Sequence, residues 1–75
     1  MGHLAGLKPQ PVIKAFCRLG WTVARHKGSH CTLCKPGNPC IVTIPVHGKE
    51  VKPGLLRSAL AKAGISSEEF LENYR

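Results

Sequence analysis

Acidic residues are scarce in this chain of 75 residues: Asp and Glu together number 4, and Glu68, Glu69 and Glu72 all fall within the last eight positions. A paired-carboxylate or carboxylate–metal centre in the body of the domain is thereby excluded. Aromatic side chains make up 5%, too few for a platform on which single-stranded bases stack, and Trp21 reads as core. No apolar run approaches the ~20 residues of a membrane span. The N-terminus has no signal-peptide stretch, and Gly6 stands where a myristoylation motif beginning at Gly2 wants Ser or Thr. The chain is therefore read as soluble and cytoplasmic. Its length excludes two-domain enzymes, Rossmann folds and barrels. No G-x-S-x-G, Walker loop or H-E-x-x-H occurs.

What is abundant is positive charge. Lys and Arg number 11, for a formal net charge of +7. Residues 1–67 hold ten basic side chains against one acid, Glu50. Such a body attracts polyanions, nucleic acid first among them, although charge alone is also compatible with a simple gain in solubility.

The hydrophobic pattern divides the chain into short elements. Residues 1–8 lack periodicity and read as a flexible N-terminal tail, leaving residues 9–75 as a single domain. Pro9 and Pro11 suit a helix start. Val12, Ile13, Phe16 and Cys17 make one stripe and Gly20 a stop, predicting a first helix from Pro11 to Leu19. Trp21 to Arg25 alternates as a strand, and His26-Lys27-Gly28-Ser29 reads as a turn. His30 to Lys35 is a second strand, Pro36 to Pro39 a turn, and Cys40 to Ile44 a third strand stopped near Pro45. His47 to Lys52 is a polar loop. Pro53 opens a second helix that Gly64 closes. Ser66-Ser67-Glu68-Glu69 is a capping box opening a short third helix that buries Phe70, Leu71 and Tyr74. The expected class is α+β: a small α-β-β-β-α(-α) domain, with a three-stranded antiparallel sheet carrying helices on one face.

Strand parity then assigns faces. Trp21, Val23, Cys31, Leu33, Val42 and Ile44 should point to the helices. His30, Thr32, Cys34 and Thr43 should point to the open face. The same parity bears on the C-x-x-C of Cys31 and Cys34, which with His26, His30 and Cys40 nearby raises the question of zinc. Within a strand the two sulfurs point apart, whereas zinc knuckles place such a pair on a turn. The expectation is that no metal is bound and that Cys17, Cys31 and Cys40 are small core residues.

Lys27-Gly28-Ser29-His30 is the most suggestive chemistry. Gly28 lets a backbone approach a phosphate, Ser29 offers a hydroxyl, and Lys27 with Arg25 supplies positive charge. Histidine is the side-chain type that exchanges protons near neutral pH. RNA carries its own nucleophile, the 2′-OH, so a base with flanking cations suffices for strand scission and no metal or cofactor is needed. Taken alone, the tetrapeptide is a weak signal and reads more readily as a hairpin turn with an incidental surface histidine. His47 is a second candidate, as a phosphate contact, an acid or a loop hydrogen-bonding group. His3, in the tail, and His26, on the turn, suggest no role.

At these residues the sequence resembles the HicA (YcfA-like) mRNA interferase toxins of toxin–antitoxin pairs. Ile13 to Phe16 with Leu19-Gly20-Trp21 looks like the family's first helix, and Lys27-Gly28-Ser29-His30 like its G-S-H turn. Ile44-Pro45-Val46-His47-Gly48 is similar to its strand end. Pro53 to Ser58, Ala63 to Ser66 and Glu69-Phe70 are similar to its last helical region. The resemblance implies a fold like a double-stranded RNA-binding domain and metal-independent cleavage of mRNA. It implies catalysis by His30, a site shaped by Gly28 and Ser29, and a HicB-type antitoxin that covers it. It leaves the chain expected as a monomer alone and a hetero-oligomer with antitoxin. The cysteines around the second and third strands depart from the family pattern, with Cys34 standing where a basic or aromatic RNA contact would serve. Two readings follow. In one the chain is an endoribonuclease, with His30 as base, Arg25, Lys27, Gly28, Ser29 and His47 around the substrate, and cyclic-phosphate products. In the other it is a non-catalytic RNA-binding module of the same fold.

Overall fold

The computed structural model describes residues 4–74. Its elements are α1 (Pro9–Arg18), β1 (Thr22–Lys27), β2 (His30–Lys35), β3 (Asn38–Pro45), α2 (Pro53–Ala63) and α3 (Ser67–Glu72). The element order and the α+β class are those expected from the sequence. The strands form one antiparallel sheet in the order β1-β2-β3.

Helix α1 begins at Pro9, two residues before the expected start. Both prolines fall in the first turn, where no helical N–H partner is required. Its end is a Schellman closure around Gly20 at φ +99°. The Gly20 N–H donates to the Cys17 carbonyl (3.1 Å) and the Trp21 N–H to the Phe16 carbonyl (3.0 Å). The accompanying apolar contact is Phe16 edge-on to Trp21, with centroids 6.0 Å apart. Trp21 is therefore buried as part of the helix stop, and β1 starts one residue later.

The core lies between the sheet and the three helices. Val12, Ile13, Ala15 and Phe16 of α1, Leu56, Ala59 and Leu60 of α2, and Phe70 of α3 meet Cys31, Leu33, Val42 and Ile44 of the sheet. Phe70 packs on Phe16 with ring centroids 5.2 Å apart. Ser66 caps α3, its Oγ accepting the Glu69 N–H at 3.1 Å, which is one half of the expected capping box.

Two segments pack where the sequence suggested none. Leu4 and Leu7, assigned to the flexible tail, are buried in the core. The Leu7 carbonyl accepts the N–H of Val51 (2.8 Å), and the Lys8 N–H donates to the Tyr74 hydroxyl (3.0 Å). Val51 is itself buried, so the loop expected to be polar is anchored at one apolar point. Two isolated leucines and one valine carry no periodicity, which is why their burial was not visible in the pattern.

Cross-strand partners share a face. One side of the sheet therefore carries the rows His26–Cys31–Ile44 and Val23–Leu33–Val42. The other carries Lys27–His30–Pro45 and Arg25–Thr32–Thr43. Cys31, Leu33, Val42 and Ile44 are buried while His30 and Thr43 are exposed, as parity predicts. Val23 corrects that scheme. It shares the inner face with Leu33 but is 41% exposed, because every residue of the edge strand β1 is exposed and the register slips between Val23 and Arg25. Cys17 is exposed and Cys40 half-buried, so of the cysteines expected inside only Cys31 is a core residue. Ala15 and Phe16 take the inner stripe of α1 and turn Cys17 outward.

Candidate functional site

The open face is organised by the β1–β2 hairpin. Lys27 pairs with His30, so the loop is only Gly28-Ser29, and His26 and Lys27 belong to the strand rather than to a four-residue turn. Gly28 at φ +60° makes this possible, since two-residue hairpin loops demand a positive φ at the first central position when the second is negative. A Cβ placed on Gly28 would meet nothing within 4 Å, so the backbone there is open to an approaching group.

One long-range bond sets the other half of the site. The Val46 N–H donates to the Ser29 carbonyl at 2.7 Å, extending the β2–β3 ladder one step beyond His30–Pro45. This ties the chain leaving β3 to the hairpin loop, immediately before His47. His30 and His47 then line a single cleft of about 420 Å³. Thr43 and Pro45 of β3 form its sheet side. Glu50 comes from the loop, and Lys52 and Leu55 from the start of α2. Both histidines are exposed.

The remaining expected residues are placed beside the cleft, not in it. Lys27 is the register partner of His30 and Arg25 that of Thr32, which puts two cations on the open face along the adjacent strand. Ser29 is half-buried in the loop, its carbonyl engaged by Val46. His26 lies on the opposite side of the sheet from His30, and His3 is outside the described residues. Glu50, Lys52, Thr43 and Leu55 are cleft residues for which sequence reasoning assigned no role. The available signal was Glu50, the lone acid of the first 67 residues, three positions from His47.

Cys31 and Cys34 are split by the sheet, one buried on the helix side and one half-buried. Among the described residues, no three His, Cys, Asp or Glu side chains converge in a manner that would hold a metal ion. Burial, with a smaller contribution from nearby Cys17, pushes the Cys31 thiol above its ordinary pKa, which favours the neutral and unreactive form. No helix among the described residues is long and apolar enough to cross a membrane.

The family described as "HicA toxin of bacterial toxin-antitoxin" aligns with residues 10–65, which run from the first turn of α1 past the end of α2 and span the hairpin and the cleft. No curated protein matches the chain.

Proposed function

The chain belongs to the HicA toxin family of bacterial toxin–antitoxin systems, and we propose that it is an endoribonuclease that cleaves mRNA. The carrying observation is that His30 and His47, from separate strands' ends, line one cleft on a basic open face. Two imidazoles flanking one substrate position can serve as base and acid in the same displacement.

In this mechanism His30 takes the proton of a ribose 2′-OH. The freed oxygen attacks the adjacent phosphorus, and the bond from phosphorus to the 5′-oxygen of the next nucleotide breaks. His47, as imidazolium, gives that oxygen a proton. The products are a 2′,3′-cyclic phosphate and a 5′-hydroxyl. Lys27 and Arg25 hold the phosphate and offset the charge that grows on it in the transition state. Gly28 keeps the approach to the hairpin clear, and Ser29 holds the loop against β3. The nucleophile is part of the substrate, so the route needs no metal or cofactor. A HicB-type antitoxin would neutralise the toxin by covering this open face.

The test is incubation of the purified chain with a defined single-stranded RNA in excess EDTA, followed by analysis of the ends. Cleavage that persists in chelator and leaves cyclic phosphate and 5′-hydroxyl ends is expected. Binding without cleavage, with or without added metal, would instead make the chain a non-catalytic RNA-binding module.

A further inference from the structure

Two backbone bonds, each to a segment remote in sequence, bracket the loop that carries His47. At one end the Val46 N–H donates to the Ser29 carbonyl at 2.7 Å, and at the other the Val51 N–H donates to the Leu7 carbonyl at 2.8 Å. Residues 47–50 lie between these anchors as a run of bends, and all four are exposed. They bury nothing of their own, so their placement depends on the two ends. The first anchor extends the sheet. The second is supplied by residues 4–8, which precede α1 and the matched residues 10–65. That segment owes its position to packing. Leu4, Leu7 and Val51 are all buried in the core cluster, and Val51 is 1% exposed. The Lys8 N–H, donating to the Tyr74 hydroxyl at 3.0 Å, fixes the end that enters α1.

We infer that Leu7, with Leu4 and Val51, positions His47: the N-terminal segment is a strap that holds the far end of the loop and keeps that imidazole in the cleft with His30. The inference rests on the proposed use of His47 as the acid. His30 needs no such support, because β2 is paired on both sides, with Lys27 and with Pro45. Slackening the strap therefore disables the acid and spares the base. The leaving 5′-oxygen of RNA needs a proton as its bond to phosphorus breaks, whereas a nitrophenolate leaves without one. The two leaving groups separate loss of the acid from loss of the fold.

The wild type, Leu7→Ala, Leu7→Met and Leu60→Ala are to be assayed below their unfolding midpoints on a ribodinucleotide and on a ribonucleoside 3′-(p-nitrophenyl phosphate). Leu7→Ala is expected to slow the dinucleotide about tenfold or more and to leave the nitrophenyl ester within about twofold. Leu7→Met keeps the buried volume and should restore the dinucleotide rate. Leu60→Ala truncates a buried leucine in the last turn of α2, away from the loop, and should leave the ratio of the two rates unchanged. Leu7→Val carries the same test if Leu7→Ala does not fold. Equal slowing of both esters by Leu7→Ala, or an equal change of ratio in Leu60→Ala, would overturn the strap. If the wild type cleaves neither ester, the nuclease reading fails and imidazole NMR decides the strap alone. The His47 ring resonances should then move in Leu7→Ala while those of His30 stay in place, and an unmoved His47 would overturn it.

Discussion

Gly28 shows how a single residue sets the geometry of the site. Its φ of +60° allows a two-residue loop, and that loop places Lys27 directly across from His30. Any side chain at this φ is strained even though the space is empty. Gly28→Ala should therefore lower unfolding stability by about 1–2 kcal/mol in urea titrations, with Gly28→Asn costing less. Cys31 gives a second prediction at this scale. Its raised pKa means that the neutral thiol persists to higher pH in the folded protein than in the unfolded chain. Native-state alkylation should modify exposed Cys17 first and Cys31 last, and Cys31 should react readily only after denaturation. The open-face position of His30 was legible because parity in β2 is strict and its apolar residues alternate without interruption. The convergence of His47 was not, since it depends on the Val46–Ser29 bond between segments far apart in sequence.

The elements differ in how they are held. Helices α1 and α2 each end on a left-handed glycine, at Gly20 and Gly64, and both stops were readable from composition alone. Helix α3 has six residues, too few to persist by itself, and depends on docking. Phe70 is fully buried against Phe16, and the Arg18 guanidinium donates to the Asn73 carbonyl at 2.8 Å. Phe70→Ala should cost about 3–5 kcal/mol by thermal or urea unfolding. In a domain this small that is enough to unfold much of the population at 37 °C. Strand β1 was harder to delimit. Its alternation suggested an inner face, but an edge strand with both faces in solvent obeys no burial pattern, and Val23 is exposed accordingly. The packing of Leu4 and Leu7 was equally hidden, because it depends on where the Val51 loop returns.

Across the whole molecule, charge and topology point to the same face. The sheet is covered on one side by helices, and its open side presents His30, Lys27 and Arg25 with the cleft at the β3 edge. In the proposed function, the net charge of +7 is what draws RNA to that surface, and the open hairpin is where a backbone phosphate would approach. The fold class and the basic face could be read from one sequence because both follow from local periodicity and composition. The cleft could not, since Thr43, Glu50, Lys52 and Leu55 are assembled by the crossing of α2 against the β3 edge. His30 is exposed and outside the core, so its replacement should change chemistry without changing the fold. The decisive measurement is the rate of RNA cleavage by the wild type and His30→Ala, alongside their thermal unfolding. Loss of at least about 100-fold in rate with an unchanged unfolding midpoint is predicted. Equal rates for the two proteins would contradict the assignment of His30 as the catalytic base.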